Sequence, residues 1–370
     1  MNQYNWRCRI IPIIRALTLH TRVSPLTRSN LRQVIEEKII KLREVLDELK
    51  VKPWTTRITL QPLHHDEYQH MDTIAGTLGE LGDSENIYIA GIHIEAGLRF
   101  TPVLIQAISN YSKLYGSILV RDLQGFSEYV ETLYKLYDQW EAFTRIALTI
   151  PRRVTTPYFP TGSTVKDEGI SIALRYVDLV ERVLKEGKEE LLQEYFKNIQ
   201  VICKEVAERT GVKCLGIDVS LSPWMEESIG KLIEYVSGTR IPGPGTAWAI
   251  NWLNNLVLRN AINAGIDITG FNEIMLSVAE DNLLKEKALK GELKIRDLAI
   301  LSAYCVAGID MAAISITDTN KYDLLKILYD LYAAANVKKN ILGVRLIPAT
   351  TSPGGKLVID KFNYIPVTRL

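Results

Sequence analysis

Apolar residues recur along this chain at two spacings, and the switches between them predict a succession of strands and helices. Short, β-branched runs bounded by turn residues read as strands over Ile13–Leu19, Thr56–Leu60, Ile87–Ile94, Ser117–Val120 and Ile146–Ile150. Between them, helical spacing covers Asn30–Leu49, Phe100–Tyr115 and Gly125–Phe143; in the first of these Leu31, Val34, Ile35, Leu42, Val45 and Leu46 share one face. Further on, helices are predicted over Ile170–Glu186, Lys188–Arg209, Glu226–Val236, Thr246–Ala264, Ile295–Val306 and Lys321–Ala335. Strands are predicted over Val212–Leu221, Ile274–Val278, Leu342–Ile347 and Leu357–Ile359. This alternation defines an α/β protein. With no repeat and no tether-like linker, one domain over residues 1–370 with a closed or nearly closed sheet is expected. The Pro-, Thr- and Gly-rich stretch Arg152–Gly169 reads as a long functional loop, or alternatively as a subdomain junction.

Composition narrows the function classes. Hydrophobic residues make up 47% and charged residues 24% of the 370, which excludes disordered and fibrous classes. Lys+Arg 44 against Asp+Glu 43 leaves a net charge of +1, so nothing drives sequence-independent binding to nucleic acid or anionic membrane. No apolar run approaches the ~20 residues that span a bilayer. The apolar stretch Ile10–Leu19 is cut by Pro12 and Arg15 and lacks a small-residue cleavage site, so it reads as a buried strand rather than a secretory signal. A cytoplasmic location is the expectation, and the abundance of Ile, Glu, Lys and Tyr is compatible with a thermophilic source. Cys8, Cys203, Cys214 and Cys305 lack the paired spacing of a metal site and argue against a disulfide scaffold.

Several segments carry candidate chemistry. Asp218, Ser220 and Ser222 alternate along a strand end, where α/β proteins place their ligands; capping of the next helix is the competing reading. Gly243, Gly245 and Thr246 precede a helix and could bring backbone close to an anion, or form only a tight turn. Carboxylates gather in the last third: Glu273, Glu280, Asp281, Asp310 and Asp318. Such groups divide acid and base work or hold a divalent cation, although acids opening a helix, as Glu280 and Asp281 do here, are routine dipole complements. Asp310 follows an apolar stretch and must find a partner or face a cavity. Asp318 reads as the N-cap of the next helix. Cys305 reads as a buried, inert thiol. His93 and Glu95 share a strand face, a pair that can ligate a metal or serve as base and orienter. The run His64-His65-Asp66-Glu67-Tyr68-Gln69-His70 reads as a solvated loop.

The second half resembles the domain-of-unknown-function family numbered 711, grouped with the pyruvate formate-lyase-like barrels. The resemblance is carried by Gly216-Ile-Asp218-Val-Ser220-Leu-Ser222-Pro223, the Gly243-Pro-Gly245-Thr246 turn and Ser277-Val-Ala-Glu280-Asp281. It continues through Leu301-Ser-Ala-Tyr-Cys305-Val-Ala-Gly308-Ile-Asp310-Met311, Thr317-Asp318-Thr319 and Val344-Arg345-Leu-Ile-Pro348, with Ile14-Arg15-Ala-Leu-Thr18-Leu at the front. It implies a ten-stranded α/β barrel of two half-sheets, an oligomer, and a cavity set comprising Asp218, Ser220, Gly245, Glu280, Asp281, Cys305, Asp310 and Arg345. The Arg-Val-x-Gly-Tyr motif that stores the radical in glycyl-radical relatives is absent from Val344–Leu370, so radical catalysis is not carried over. Where the family's glycine turn often has a histidine, this chain has Pro244.

The function expected is a non-radical enzyme acting on a small polar or anionic metabolite. Asp218 and Ser220 would orient it, Arg345 would pair its anionic group, and Asp310 or Glu280 would act as acid/base or hold a divalent cation. A ligand-binding or regulatory barrel without turnover and a scaffolding oligomer are the alternatives.

Overall fold

The computed structural model describes residues 13–370, so Cys8 and the Ile10–Pro12 part of the first apolar run lie outside the described residues. Strand and helix alternate first as β1 (Ile14–His20), α1 (Arg28–Leu49), β2 (Thr55–Thr59), α2 (Met71–Ser84), β3 (Tyr88–Glu95), α3 (Thr101–Ser109), β4 (Leu114–Leu119), α4 (Leu123–Lys135), a single-turn α5 (Trp140–Phe143) and β5 (Ile146–Ile150). After a long connection follow β6 (Gly169–Leu174), α6 (Val177–Glu186), α7 (Glu190–Thr210), β7 (Lys213–Asp218), α8 (Ile229–Ser237), α9 (Thr246–Ala264) and β8 (Met275–Ser277). The chain ends with α10 (Asn282–Lys290), α11 (Ile295–Leu301), β9 (Ala307–Asp310), β10 (Ala312–Ser315), α12 (Lys321–Lys338), β11 (Leu342–Val344), β12 (Leu346–Ala349), β13 (Lys356–Ile359) and β14 (Asn363–Pro366).

Eight strands form one curled sheet in the order β11-β5-β4-β3-β2-β1-β6-β7. Neighbours among β1–β5 run parallel, as do β6 and β7, because helical crossovers join them. The pairs β1·β6 and β5·β11 are antiparallel, with His20 opposite Gly169 and Gly343 opposite Thr149. Short parallel pairs β8·β9 and β10·β12 and the hairpin β13·β14 complete the strands. Backbone bonds extend both sheet edges: Gly343 and Arg345 N–H donate to the carbonyls of Val306 and Ile309 at 3.2 and 3.1 Å. At the other edge Ile217 N–H donates to Asp267 C=O at 2.8 Å and Met275 N–H to Leu221 C=O at 2.9 Å.

The helices bury the convex face. In α1 the buried side chains are Leu31, Ile35, Ile39, Leu42, Val45 and Leu46, the stripe expected from periodicity apart from half-buried Val34. On β1, Leu17 and Leu19 join that main core, whereas Ala16 belongs to a smaller concave cluster with Val154, Tyr158 and Phe271. The concave side is filled by residues 151–168. Their backbone polar groups are met by the sheet: Thr59 Oγ1 donates to Gly162 C=O at 2.8 Å, Thr18 Oγ1 to Pro157 C=O at 3.3 Å, and Thr164 N–H to Leu60 C=O at 2.9 Å. This stretch therefore lines one sheet rather than separating two.

Several expected elements differ. Residues 170–174 form β6, not a helix; the short run leads almost directly into α6, so its apolar positions merge with the helical pattern that follows. Helix α2 is absent from the periodicity because Gly76, Gly79 and Gly82 interrupt it; a Cβ on Gly79 would lie 2.1 Å from the Tyr111 ring, so the glycine makes room for that ring. The helix expected over Ile295–Val306 stops at Leu301, and β9 and β10 follow, interrupted at Met311, whose φ is 51°. The strand expected over Leu342–Ile347 is likewise broken at Arg345 into β11 and β12. Asn320, not Asp318, caps α12; its side chain accepts from Tyr322 N–H. The expectation against disulfides is corrected in one place, since Cys203 on α7 and Cys214 on β7 are bonded across a sequence separation of 11.

That bridge closes a short loop, which predicts a contribution of about 2–3 kcal/mol. Reductant should lower the urea midpoint of the parent chain and leave that of Cys214→Ser unchanged; equal midpoints with and without reductant in the parent would remove the bridge from the stability account.

Candidate functional site

The curl brings two kinds of strand end to one rim. Arg15, Arg57, Tyr88 and Tyr115 stand at the beginnings of β1–β4, while Ser277 and Asp310 stand at the ends of β8 and β9, and Arg345 just past β11. All line one cavity of about 700 Å³. The β1–β6 register is irregular between Ile14 and Ala16, the kind of bulge that re-aims a side chain, and Arg15 sits there.

A chain of alternating charges forms the cavity wall. Arg15 Nη2 donates to Glu280 Oε2 and its Nη1 to Pro223 C=O at 2.9 Å. Its guanidinium carbon lies 5.4 and 5.7 Å from the ring centroids of Trp54 and Trp224. Arg345 Nη2 bridges Glu280 Oε1 at 3.3 Å and Asp310 Oδ2 at 2.7 Å, and its Nε meets Asp310 Oδ1. The Arg15, Glu280 and Asp310 side chains are buried, and that of Arg345 is 13% exposed. Burial pulls the Arg345 guanidinium down, but Asp310 and then Glu280 outweigh it and hold it above its ordinary range. Burial pushes the Glu280 carboxyl up, yet Arg15 and Arg345 leave it below the usual carboxylate range.

The remaining wall is cationic and aromatic. Arg57 Nε donates to Thr55 Oγ1 at 2.9 Å and its Nη1 to Pro157 C=O at 3.1 Å, with the guanidinium 5.1 Å from the Phe159 ring. It has no carboxylate partner among the described residues, and burial pulls it down to about 10. Lys361, on the exposed turn between β13 and β14, has its ammonium pulled down by partial loss of solvent around it. Counted together, seven cationic side chains and two carboxylates line the cavity.

The expected site residues divide sharply. Glu280, Asp310, Arg345 and Ser222 meet at the cavity, Ser222 Oγ sharing a 3.2 Å hydrogen bond with the Tyr158 hydroxyl. Asp218 and Ser220 adjoin each other as alternation predicts, but they lie behind the cavity. The Asp218 carboxylate accepts from the Thr156 and Ser220 hydroxyls at 2.6 Å and from the N–H groups of Ser220, Phe271 and Asn272 at 2.9–3.1 Å, and burial pushes it up against these donors. Asp281 likewise is a structural anchor: it accepts from Leu283 and Leu284 N–H at the start of α10 and from Ser228 Oγ and Gly230 N–H at the start of α8. Gly243, Gly245 and Thr246 form the turn before α9, away from the cavity; Gly245 caps the helix with φ 89°, and Thr246 Oγ1 is spent on Gly243 C=O at 2.8 Å. The buried Cys305 thiol donates to Leu301 C=O and is pushed up to about 12, outside the cavity. His93 is held inside the sheet by Ser117 Oγ at 2.8 Å and Ala90 C=O at 3.0 Å, and Glu95 pairs with Arg121 at 2.9 Å. Asp281, His93 and Glu95 are thus not brought together, and no group of three or more metal-ligating side chains occurs among the described residues.

Sequence reading missed Arg57, Lys361, Tyr158 and the two tryptophans. Single basic residues at strand starts look like ordinary solvated charges. Only Arg15, interrupting an apolar strand, left a detectable signal.

An α/β sheet curled around an ion-paired, cation-rich cavity is the class that this geometry defines. The chain belongs to the family described as Uncharacterised ACR (DUF711), whose model matches residues 14–359. It is similar to a UPF0210 protein of Sulfurisphaera tokodaii, 24% identical over 370 aligned residues covering 88% of this chain and 82% of the relative. A UPF0210 protein of Pyrobaculum aerophilum is 25% identical over 390, covering 93% and 86%. For a UPF0210 protein of Bifidobacterium adolescentis the figures are 29% over 209 residues, 53% of this chain and 46% of the relative.

Burial holds His20 and His93 down to about 3, so both are neutral in the fold at any moderate pH. Depressed folded values mean that the unfolded chain takes up these protons first. Stability is therefore full above about pH 6.5 and falls as pH drops from there toward 3, by about 1.4 kcal/mol per pH unit for each histidine. Urea midpoints between pH 7 and 5 should decline in the parent and decline less steeply in His93→Asn; parallel slopes would contradict the assignment.

Proposed function

We propose that this protein is a non-radical enzyme acting on a small anionic metabolite in the cavity, on a ten-stranded barrel of the pyruvate formate-lyase-like kind. The single observation that carries the reading is the imbalance of seven cationic side chains against two carboxylates around about 700 Å³. The barrel is supported by strand order: β1–β5 would form one half and β6, β7, β8, β9 and β11 the other. The bonds of β11 to Val306 and Ile309, and of Met275 to Leu221, are the ones such a ring requires.

In this reading Arg345 and Arg15 present a fixed positive wall whose own charge is partly spent on Glu280 and Asp310. Arg57 and Lys361 supply the attraction that those pairs do not cancel. Glu280, kept ionised by its arginines, would work as a base or a charge partner rather than as an acid. A cytoplasmic homo-oligomer is part of the same proposal. The second reading, a binding protein without turnover, is favoured by a specific observation: both cavity carboxylates are locked in ion pairs, which makes them weak proton acceptors.

Mass spectrometry of small molecules retained by the native protein tests both readings. An anionic compound should be recovered from the parent, and its occupancy should fall about tenfold or more in Arg345→Lys, which keeps the charge and loses the forked contact. Conversion of that compound on incubation supports the enzyme. Its recovery unchanged supports the binding protein, and retention of only neutral or cationic compounds overturns both.

A further inference from the structure

The cavity's cations are of two kinds, and the difference specifies a ligand more closely than net charge does. Arg15 and Arg345 are paired with Glu280 and Asp310, and Arg43 with Glu85. Arg57, Arg145, Lys113 and Lys361 also line the cavity, and none has a carboxylate partner among the described residues. Arg57 repels Arg15, and Lys361 is pulled down by partial loss of solvent and by the nearby Arg57 and Arg345. Holding these like charges together costs free energy that an anion between them returns.

The geometry of the donors favours one kind of anion. Arg57 has its Nε committed to Thr55 and one Nη1 N–H to Pro157, which leaves its remaining Nη N–H groups free to donate. Lys361 is a point charge by nature. Two separate cationic donors suit an anion whose oxygens point in different directions and which carries two charges; a lone carboxylate presents two coplanar oxygens and one charge. Around them the rings of Tyr88, Tyr115 and Phe159 form a continuous wall, with centroids 5.6 Å apart at each step. Of the residues that line the cavity, Ser277 has a buried hydroxyl and Arg145 a buried Nε with no hydrogen-bond partner among the described residues.

Resting on the anionic-metabolite reading above, we propose that the cavity binds a phosphate monoester of a flat, ring-bearing molecule. Arg57 and Lys361 hold the phosphate, the Tyr88–Tyr115–Phe159 wall packs the ring, and Ser277 Oγ meets a polar atom of the organic part.

Calorimetric titration of the full chain with phenyl phosphate and with phthalate, two aryl dianions, tests the assignment. Phenyl phosphate should bind about tenfold or more tightly than phthalate, and Arg57→Met and Lys361→Gln should each weaken phenyl phosphate about tenfold. Lys361 lies on an exposed turn, so Lys361→Gln decides the matter should Arg57→Met fail to fold. Equal or tighter binding of phthalate, or undiminished phenyl phosphate binding by Lys361→Gln, overturns the phosphate assignment and leaves the broader anionic reading standing. Binding of neither probe overturns the phosphate assignment, and the retained-compound measurement then judges the broader reading by itself.

Discussion

Guanidinium groups can enter a protein interior only where acceptors and countercharges meet them, and the mouth of this sheet is organised by that requirement. Arg15 and Arg345 come from opposite ends of the chain, and Glu280 contacts both. Removing the Glu280 carboxylate would leave two largely buried cations facing each other, a far larger cost than losing one surface ion pair. The position of Glu280 is in turn fixed by its neighbour. Asp281 accepts four hydrogen bonds from the first turns of α8 and α10, and Met225 N–H donates to the Glu280 carbonyl at 2.6 Å. Two adjacent acids thus divide the labour, one holding the scaffold and the other turned into the cavity.

A second carboxylate performs the same service for residues 151–168. Asp218 accepts from Thr156 in that segment and from Phe271 and Asn272 in the connection to β8, so it ties three stretches of chain at one point. Gly270 permits this closeness: its φ is +84°, and a Cβ there would lie 2.0 Å from Asp218 Oδ2. What the tie delivers is downstream of it. Tyr158 reaches Ser222, and Phe159 lies beneath Arg57, so the segment carries two of the cavity's aromatic rings into place. The sequence left Asp218 between a ligand-facing and a structural role, and the hydrogen bonds it accepts tie the chain together beside the cavity.

The first half of the fold was legible because its strands are short apolar runs separated by amphipathic helices, as α1 illustrates. Legibility failed where a short strand leads almost directly into a helix or where glycine served tertiary packing, as in β6 and α2. In the site, the residues readable from local pattern were Asp310, after an apolar run, and Ser222, at an expected strand end, whereas Arg345 came from the family resemblance. Met311, at φ 51°, and Arg345 interrupt two neighbouring strand runs side by side, with Ala312 N–H bonded to Arg345 C=O. No periodicity announces such a paired break, yet it adjoins the Asp310–Arg345 ion pair. Arg57 and Lys361 contradict nothing in their local sequence, and only the curl of the sheet reveals that they line one cavity.

The near-neutral chain also explains why composition was a poor guide to this cavity. A net charge of +1 rules out a broadly basic surface, but it sums over side chains that never share a neighbourhood. Surface pairs such as Arg28–Glu80 and Arg209–Glu205 cancel in water, where each is worth little. The uncancelled charge is concentrated around one cavity, beside tryptophan, tyrosine and phenylalanine rings that help focus the field on whatever enters. Attraction for an anion here depends on location rather than on abundance, so a protein with almost no net charge can still hold a strongly positive interior.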